Sequence, residues 1–216
     1  KKYDLKTIYD SAQSFGSSYN KKRIGNFGDI TTTSFFPAKP LGCYGDGGAL
    51  FTNDDNLANL IRSIKNHGMG VHKYEHVNIG VNSRLDTIQA AILNQKIKLL
   101  EGEIEKRNEI ANYYNKALVN TDLILPELSK DNSYAWAQYT VRHKDRDILI
   151  KDLNSKGIPT AIYYPIPLNE QKAYNKCNVV SSGIKNTEQF CKEVFSLPMS
   201  PYLKKEDQDF VIKAFM

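Results

Sequence analysis

The chain has 216 residues, 41% hydrophobic and 25% charged, a composition typical of globular proteins and unlike that of disordered ones. Its 29 Lys and Arg are interleaved with 24 Asp and Glu, so the net charge of +5 is spread over a solvated surface, with mild attraction for anionic substrates and no nucleic-acid-binding block. No apolar run reaches the roughly 20 residues of a membrane helix, no signal-peptide order opens the chain, and Cys43, Cys177 and Cys191 keep no metal-ligand spacing, so a cytoplasmic protein is expected.

The opening KKYDLKTIYD lacks an initiator Met and runs Ile8 and Tyr9 straight into Asp10, as a buried strand does at its C-terminal end, so a preceding portion of the fold is expected. A polar loop over residues 12–30 follows, then the strands TTTSFF and GGALFT. Between those strands PAKPLGCYGDG reads as a tight loop shaped by prolines and glycines, with one lysine in it. Asn53 is the expected N-cap of a helix with Leu57, Leu60, Ile61 and Ile64 on one face and Gly68 as its stop. Residues 85–118 repeat apolar positions every three or four, predicting one long helix or two with a break near Gly102. Beyond Pro126 the pattern predicts a small α+β domain: strands at YAWAQYTVR and PTAIYYP, a short helix ended by Gly157, and helices at 187–197 and 206–216. The expected domains are 1–84, a connecting helix 85–118, and 119–216.

Taken singly, Asp10, Ser34 and Lys39 have ordinary readings as a turn residue, a strand hydroxyl and a surface lysine. Together, DSAQSFG, SFFPAK and GDGGA resemble in order and spacing the active-site motifs of the DegT/DnrJ/EryC1/StrS sugar aminotransferases. That resemblance implies an α/β chain of the pyridoxal-phosphate-dependent transferase fold type I, like aspartate aminotransferase, comprising part of the large domain and a complete small domain. It also implies pyridoxal 5'-phosphate as cofactor, carried as an imine on Lys39, which then moves the substrate proton. Asp10 would pair with the pyridine nitrogen, Gln13 with the phenolic oxygen, and Ser34 with the phosphate. Ser11 stands where the family usually has alanine.

The segment HKYEHVNIGVNSRLDTIQAAIL resembles the family's dimer-crossing stretch, implying a homodimer with shared active sites in which Asn82 reaches the neighbour's cofactor phosphate. Arg84 suits a substrate carboxylate or phosphate, or equally a salt bridge with Asp86. His67 and His76, without a metal-spaced partner, read as structural. The segments GVNSRLDTIQAAIL, AWAQYTV, GIPTAIYYPIPLNEQKAY and SLPMSPYL resemble the subgroup that aminates UDP-2-acetamido-2-deoxy-3-oxo-glucuronate for bacterial surface polysaccharides, with glutamate as donor; Tyr163 departs from the histidine frequent there. In that subgroup an arginine in the place of Arg84 recognises the uronate carboxylate. The alternatives are an inactive remnant or binding module, a dehydratase of the same scaffold, against which Lys39 argues, and a nucleotide-binding protein, for which GDGG lacks the register.

Overall fold

The computed structural model describes residues 3–216. In chain order the elements are β1 (Ile8–Asp10), β2 (Ser18–Tyr19), β3 (Lys22–Arg23), β4 (Ile30–Ser34), β5 (Gly48–Phe51), α1 (Asp55–Ile64), α2 (Thr87–Lys96), α3 (Leu100–Leu118), β6 (Tyr139–Arg142), α4 (Arg146–Ser155), α5 (Lys185–Glu193), β7 (Val194–Leu197) and α6 (Lys205–Lys213). Contacts group them into two units, one of residues up to Glu105 with Ser129–Ala137, the other of Lys106–Leu128 with Gln138–Met216.

In the first unit β4 is the middle strand of a sheet ordered β1-β4-β5, parallel to β1 and antiparallel to β5. The pleat sorts the side chains by face. Thr31 and Thr33 are buried on one side, where Phe15 stacks on Phe51 with ring centroids 5.9 Å apart and meets Phe35 edge-on at 6.2 Å. Ile8, Asp10, Thr32, Ser34 and Leu50 share the other, open side, with Ile8 71% exposed and Leu50 50% exposed. β1 is an edge strand exposed along its whole length. The buried cluster of this unit joins Phe35, Leu41 and Cys43 to Leu93 of α2 and to Leu100 and Ile104 of α3.

Several local expectations shift. The loop over 12–30 contains the β2–β3 hairpin, turned by Asn20 (φ 47°) and Lys21 (φ 63°), the two left-handed residues of a type I′ turn; neither is the glycine that usually marks one. The N-cap of α1 is Asp54 rather than Asn53, because Asp54 Oδ1 accepts from the amides of Asn56 (2.9 Å) and Leu57 (3.1 Å). The break in the 85–118 helix lies at Ile97–Leu99, where the amides of Lys98, Leu99 and Leu100 bond three residues back, and Gly102 lies inside α3 with open space around it. Leu93, Leu100 and Ile104 all reach the same core across that break.

In the second unit β6 pairs antiparallel with β7, from Tyr139↔Leu197 to Arg142↔Val194. Tyr114, Tyr139, Leu153 and Phe195 are buried completely. Residues 194–197, expected as the end of a helix, form β7 instead, since pairing with β6 buries Phe195 and Leu197. The strand expected at PTAIYYP reduces to one bridge, Ala161↔Ser196, between two prolines that donate no hydrogen bond. The strand expected at YAWAQYTVR begins only at Tyr139; Trp136 takes a left-handed φ of 45°, and the residues before it group with the first unit through Ser18↔Ser133 and Ala135 N to Ser17 Oγ, 2.8 Å. α4 ends before Gly157 (φ 77°), as expected. Among the described residues no helix is long and apolar enough to cross a membrane, and no His, Cys, Asp and Glu cluster with metal-binding geometry occurs.

Candidate active site

Because β1 and β4 run parallel, their C-terminal ends lie at one edge of the sheet, where open α/β sheets bind ligands. Asp10 is the last residue of β1 and Ser34 the last of β4. Asp10 registers with Thr32, so its carboxylate and the Ser34 hydroxyl share a face, about 5 Å apart across the strands and about 7 Å along them. One oxygen of Asp10 accepts from Ala12 N at 2.9 Å, which fixes the carboxylate. Ser34 Oγ accepts from Phe36 N at 3.2 Å, which leaves its proton to donate.

The turn after β1 carries Gln13. Ser11 ties it down, its amide and hydroxyl both donating to Thr32 O at 2.8 and 2.7 Å. Arg23 also holds this turn: Nη1 donates to Gly16 O at 2.6 Å and Nη2 to both carboxylate oxygens of Glu101 at 2.7 Å. No local pattern announces this clamp, since Arg23 and Glu101 are 78 positions apart.

The loop after β4 carries Lys39. It folds back on itself through Lys39 N to Phe36 O (2.9 Å), Cys43 N to Phe35 O (2.7 Å) and Phe35 N to Gly47 O (2.8 Å). The buried Cys43 thiol lies 3.0 Å from both Phe35 O and Gly45 O. A Cβ on Gly48 would stand 2.8 Å from Thr33 O, so the glycines allow backbone contacts that a side chain would block. Lys39 is half-buried, and among the described residues its Nζ has no hydrogen-bond or ion-pair partner; nor has the Gln13 side chain. The ends of β1 and β4 and the loops that leave them thus carry a lysine, a carboxylate, an amide and a hydroxyl, a donor and acceptor set of the kind that suits a phosphorylated pyridine aldehyde.

Asn82 and Arg84 lie elsewhere in the same unit. Asn82 bridges Asn66 beyond the end of α1, and Arg84 Nε donates to Asn82 Oδ1 at 3.1 Å. Both line a cleft of about 1160 Å³ with Phe15, Phe51, Arg62 and Lys65, a lining that excludes Asp10, Gln13, Ser34 and Lys39. Among the described residues Arg84 makes no ion pair with Asp86, so that alternative for it is not realised. His76 Nδ1 lies 2.9 Å from the backbone oxygen of His67, a structural contact as expected.

The sequence pattern of the DegT/DnrJ/EryC1/StrS aminotransferase family matches residues 1–216. The chain belongs to this family. It is 47% identical over 202 residues to the UDP-2-acetamido-2-deoxy-3-oxo-D-glucuronate aminotransferase of Pseudomonas aeruginosa, covering 94% of this chain and 55% of that protein. It is 44% identical over 214 residues to the dTDP-3-amino-3,6-dideoxy-alpha-D-galactopyranose transaminase of Aneurinibacillus thermoaerophilus, covering 99% and 58%. The fold superposes with a TM-score of 0.95 on the crystal structure of a DegT DnrJ EryC1 StrS aminotransferase from Brucella abortus, 48% identical, covering 98% of this chain and 56% of that one. The chain therefore has part of the fold type I transferase architecture and spans a little over half the length of these relatives.

Proposed function

We propose that this chain contributes the catalytic lysine and most of the cofactor contacts of a pyridoxal-phosphate-dependent sugar-nucleotide aminotransferase. The observation that carries the reading is the common strand edge, with Asp10 and Ser34 on one face and the unpartnered Lys39 amine in the loop beyond. When bound, the cofactor supplies an electron sink for the carbanion formed as the substrate carbon loses its proton. Asp10, held by Ala12 N, keeps a second oxygen to accept from the ring nitrogen and stabilise its protonated form. Gln13 donates to the phenolic oxygen. Ser34, its oxygen already fixed by Phe36 N, donates its proton to the phosphate. Lys39 Nζ would hold the cofactor and would serve as the base that moves the proton of the substrate carbon.

The substrate in this reading is a keto-sugar nucleotide, first UDP-2-acetamido-2-deoxy-3-oxo-glucuronate, with glutamate as amino donor and surface polysaccharide as the destination. Its support is the 47% identity to the Pseudomonas aeruginosa aminotransferase and the exposed guanidinium of Arg84, which donates only to Asn82 among the described residues and suits a uronate carboxylate. The enzyme acts in the cytoplasm as a homodimer, the partner's Asn82 completing the phosphate site; support for sharing is that Asn82 and Arg84 line a cleft that excludes Lys39.

The test is the absorbance spectrum of the full-length protein with pyridoxal phosphate, wild type beside Lys39→Ala, before and after glutamate. A yellow protein-bound band that needs Lys39 and is bleached by glutamate is expected. Identical free-cofactor spectra would remove Lys39 from the site. Turnover of the UDP-keto-uronate against a dTDP-3-keto-6-deoxy sugar then ranks the substrates.

A further inference from the structure

Residues 35–47 are braced mainly by their own hydrogen bonds. Among the described residues one hydrogen bond ties residues 36–46 to anything beyond Ser34–Gly47: Tyr44 N donates to Gln89 Oε1 at 2.8 Å. Gln89 is half-buried on the first turn of α2. Four residues on, and therefore on the same face, Leu93 is buried with Leu41 and Cys43 of the loop. Lys96 continues the stripe, its Nζ 5.6 Å above the Tyr44 ring. Gly45 leaves room for the amide, since a Cβ there would stand 3.0 Å from Gln89 Nε2. A leucine at position 89 would extend the apolar stripe equally well. What it could not provide is an acceptor for the Tyr44 amide.

Between that tether and Lys39 lie four residues, Pro40, Leu41, Gly42 and Cys43. Pro40 has a ring-fixed φ and restricts Lys39 before it, while Leu41, Gly42 and Cys43 are buried. A displacement at Tyr44 therefore passes to Lys39 through a stiff segment rather than being absorbed. We infer that Gln89 is a positioning residue for the catalytic lysine, setting the lysine loop against α2 through the Tyr44 amide. The inference rests on the assignment of Lys39 proposed above.

The experiment uses the full-length protein as wild type, Gln89→Leu and Gln89→Glu, the last keeping an acceptor oxygen. Amide hydrogen exchange at Tyr44 is followed without cofactor, and kcat and KM for the amino donor with it. For Gln89→Leu, Tyr44 exchange faster by about ten-fold and kcat lower by about five- to ten-fold are expected, with KM within about two-fold; Gln89→Glu restores both. Wild-type exchange and kcat in a folded Gln89→Leu protein would overturn the proposal, as would a Gln89→Glu protein equally impaired. Should Gln89→Leu fail to fold, Gln89→Asn, whose oxygen is withdrawn by one methylene, is read the same way. A Lys39→Ala protein with the wild-type cofactor spectrum would instead remove the assignment on which the proposal stands.

Discussion

A methyl group placed on Gly42 would stand 2.5 Å from the Pro37 carbonyl oxygen and 2.7 Å from that of Phe36. Both contacts are with backbone, which cannot swing aside, and both lie in the loop that presents Lys39. Gly42→Ala therefore opens the loop. It should cost about 1–3 kcal/mol of stability in denaturant titration and lower the fraction of pyridoxal phosphate bound to Lys39, read from the absorbance band. A variant as stable and as well loaded as wild type would show that the loop does not need the close approach.

Asp10→Asn isolates charge from shape. The amide oxygen can still accept from Ala12 N, now met by Asp10 Oδ1 at 2.9 Å, so the thermal midpoint should stay near wild type. In the proposed site, the substitution removes the carboxylate that would pair with the protonated ring nitrogen. A fall in kcat of about 100-fold or more, with cofactor still attached, is expected from steady-state kinetics.

Asp29 stitches the starts of β1 and β4 together, its Oδ2 accepting from Thr7 N at 2.8 Å and Thr7 Oγ1 at 3.1 Å, its Oδ1 from Lys6 at 3.2 Å. The Thr7 amide, and then the Lys6 ammonium, hold this carboxyl below the ordinary aspartate range. A depressed folded-state pKa contributes stability that is present above the unfolded value, about 3.9, and is lost as pH falls through the folded one. Urea midpoints of wild type and Asp29→Asn should thus differ most near neutrality and converge below about pH 4. A gap that stays constant down to pH 2 would contradict this.

In the second unit Tyr139 donates to Asn115 Oδ1 at 2.6 Å and lies 4.9 Å, centroid to centroid, from Tyr114, whose hydroxyl donates to Pro198 O at 3.1 Å. Burial pushes both phenols far above their ordinary range, and for Tyr139 the neighbouring Tyr114 adds to it. A raised folded-state pKa means that stability is undiminished below the unfolded value, about 10, and falls as pH rises beyond it. Tyr139→Phe should cost about 1 kcal/mol at neutral pH and flatten the loss of stability in alkali, both measured by denaturant titration across pH.

Much of the candidate site was legible because its residues fall in short runs. Asp10 with Gln13, and Ser34 with Lys39, each lie within six residues, so local spacing alone carried their resemblance to a family motif. Strand identity was equally local at TTTSFF, which is stopped by Pro37, and at GGALFT, which opens on glycines. What local pattern could not supply was partnership. Nothing in VFSL at 194–197 separates a strand from the last turn of a helix until β6 is there to pair with it.

By itself, then, the sequence determined the family and nominated the candidate site residues and the loop that carries Lys39, because these depend on side-chain type and short spacing. Only the tertiary structure decided that Asp10 and Ser34 share one face of a parallel pair and that Arg23 reaches Glu101. It also decided that the lysine loop is tethered to α2 through Gln89. Each of these joins residues tens of positions apart, and such contacts arise from strand pairing and core packing, which no local run of residues encodes.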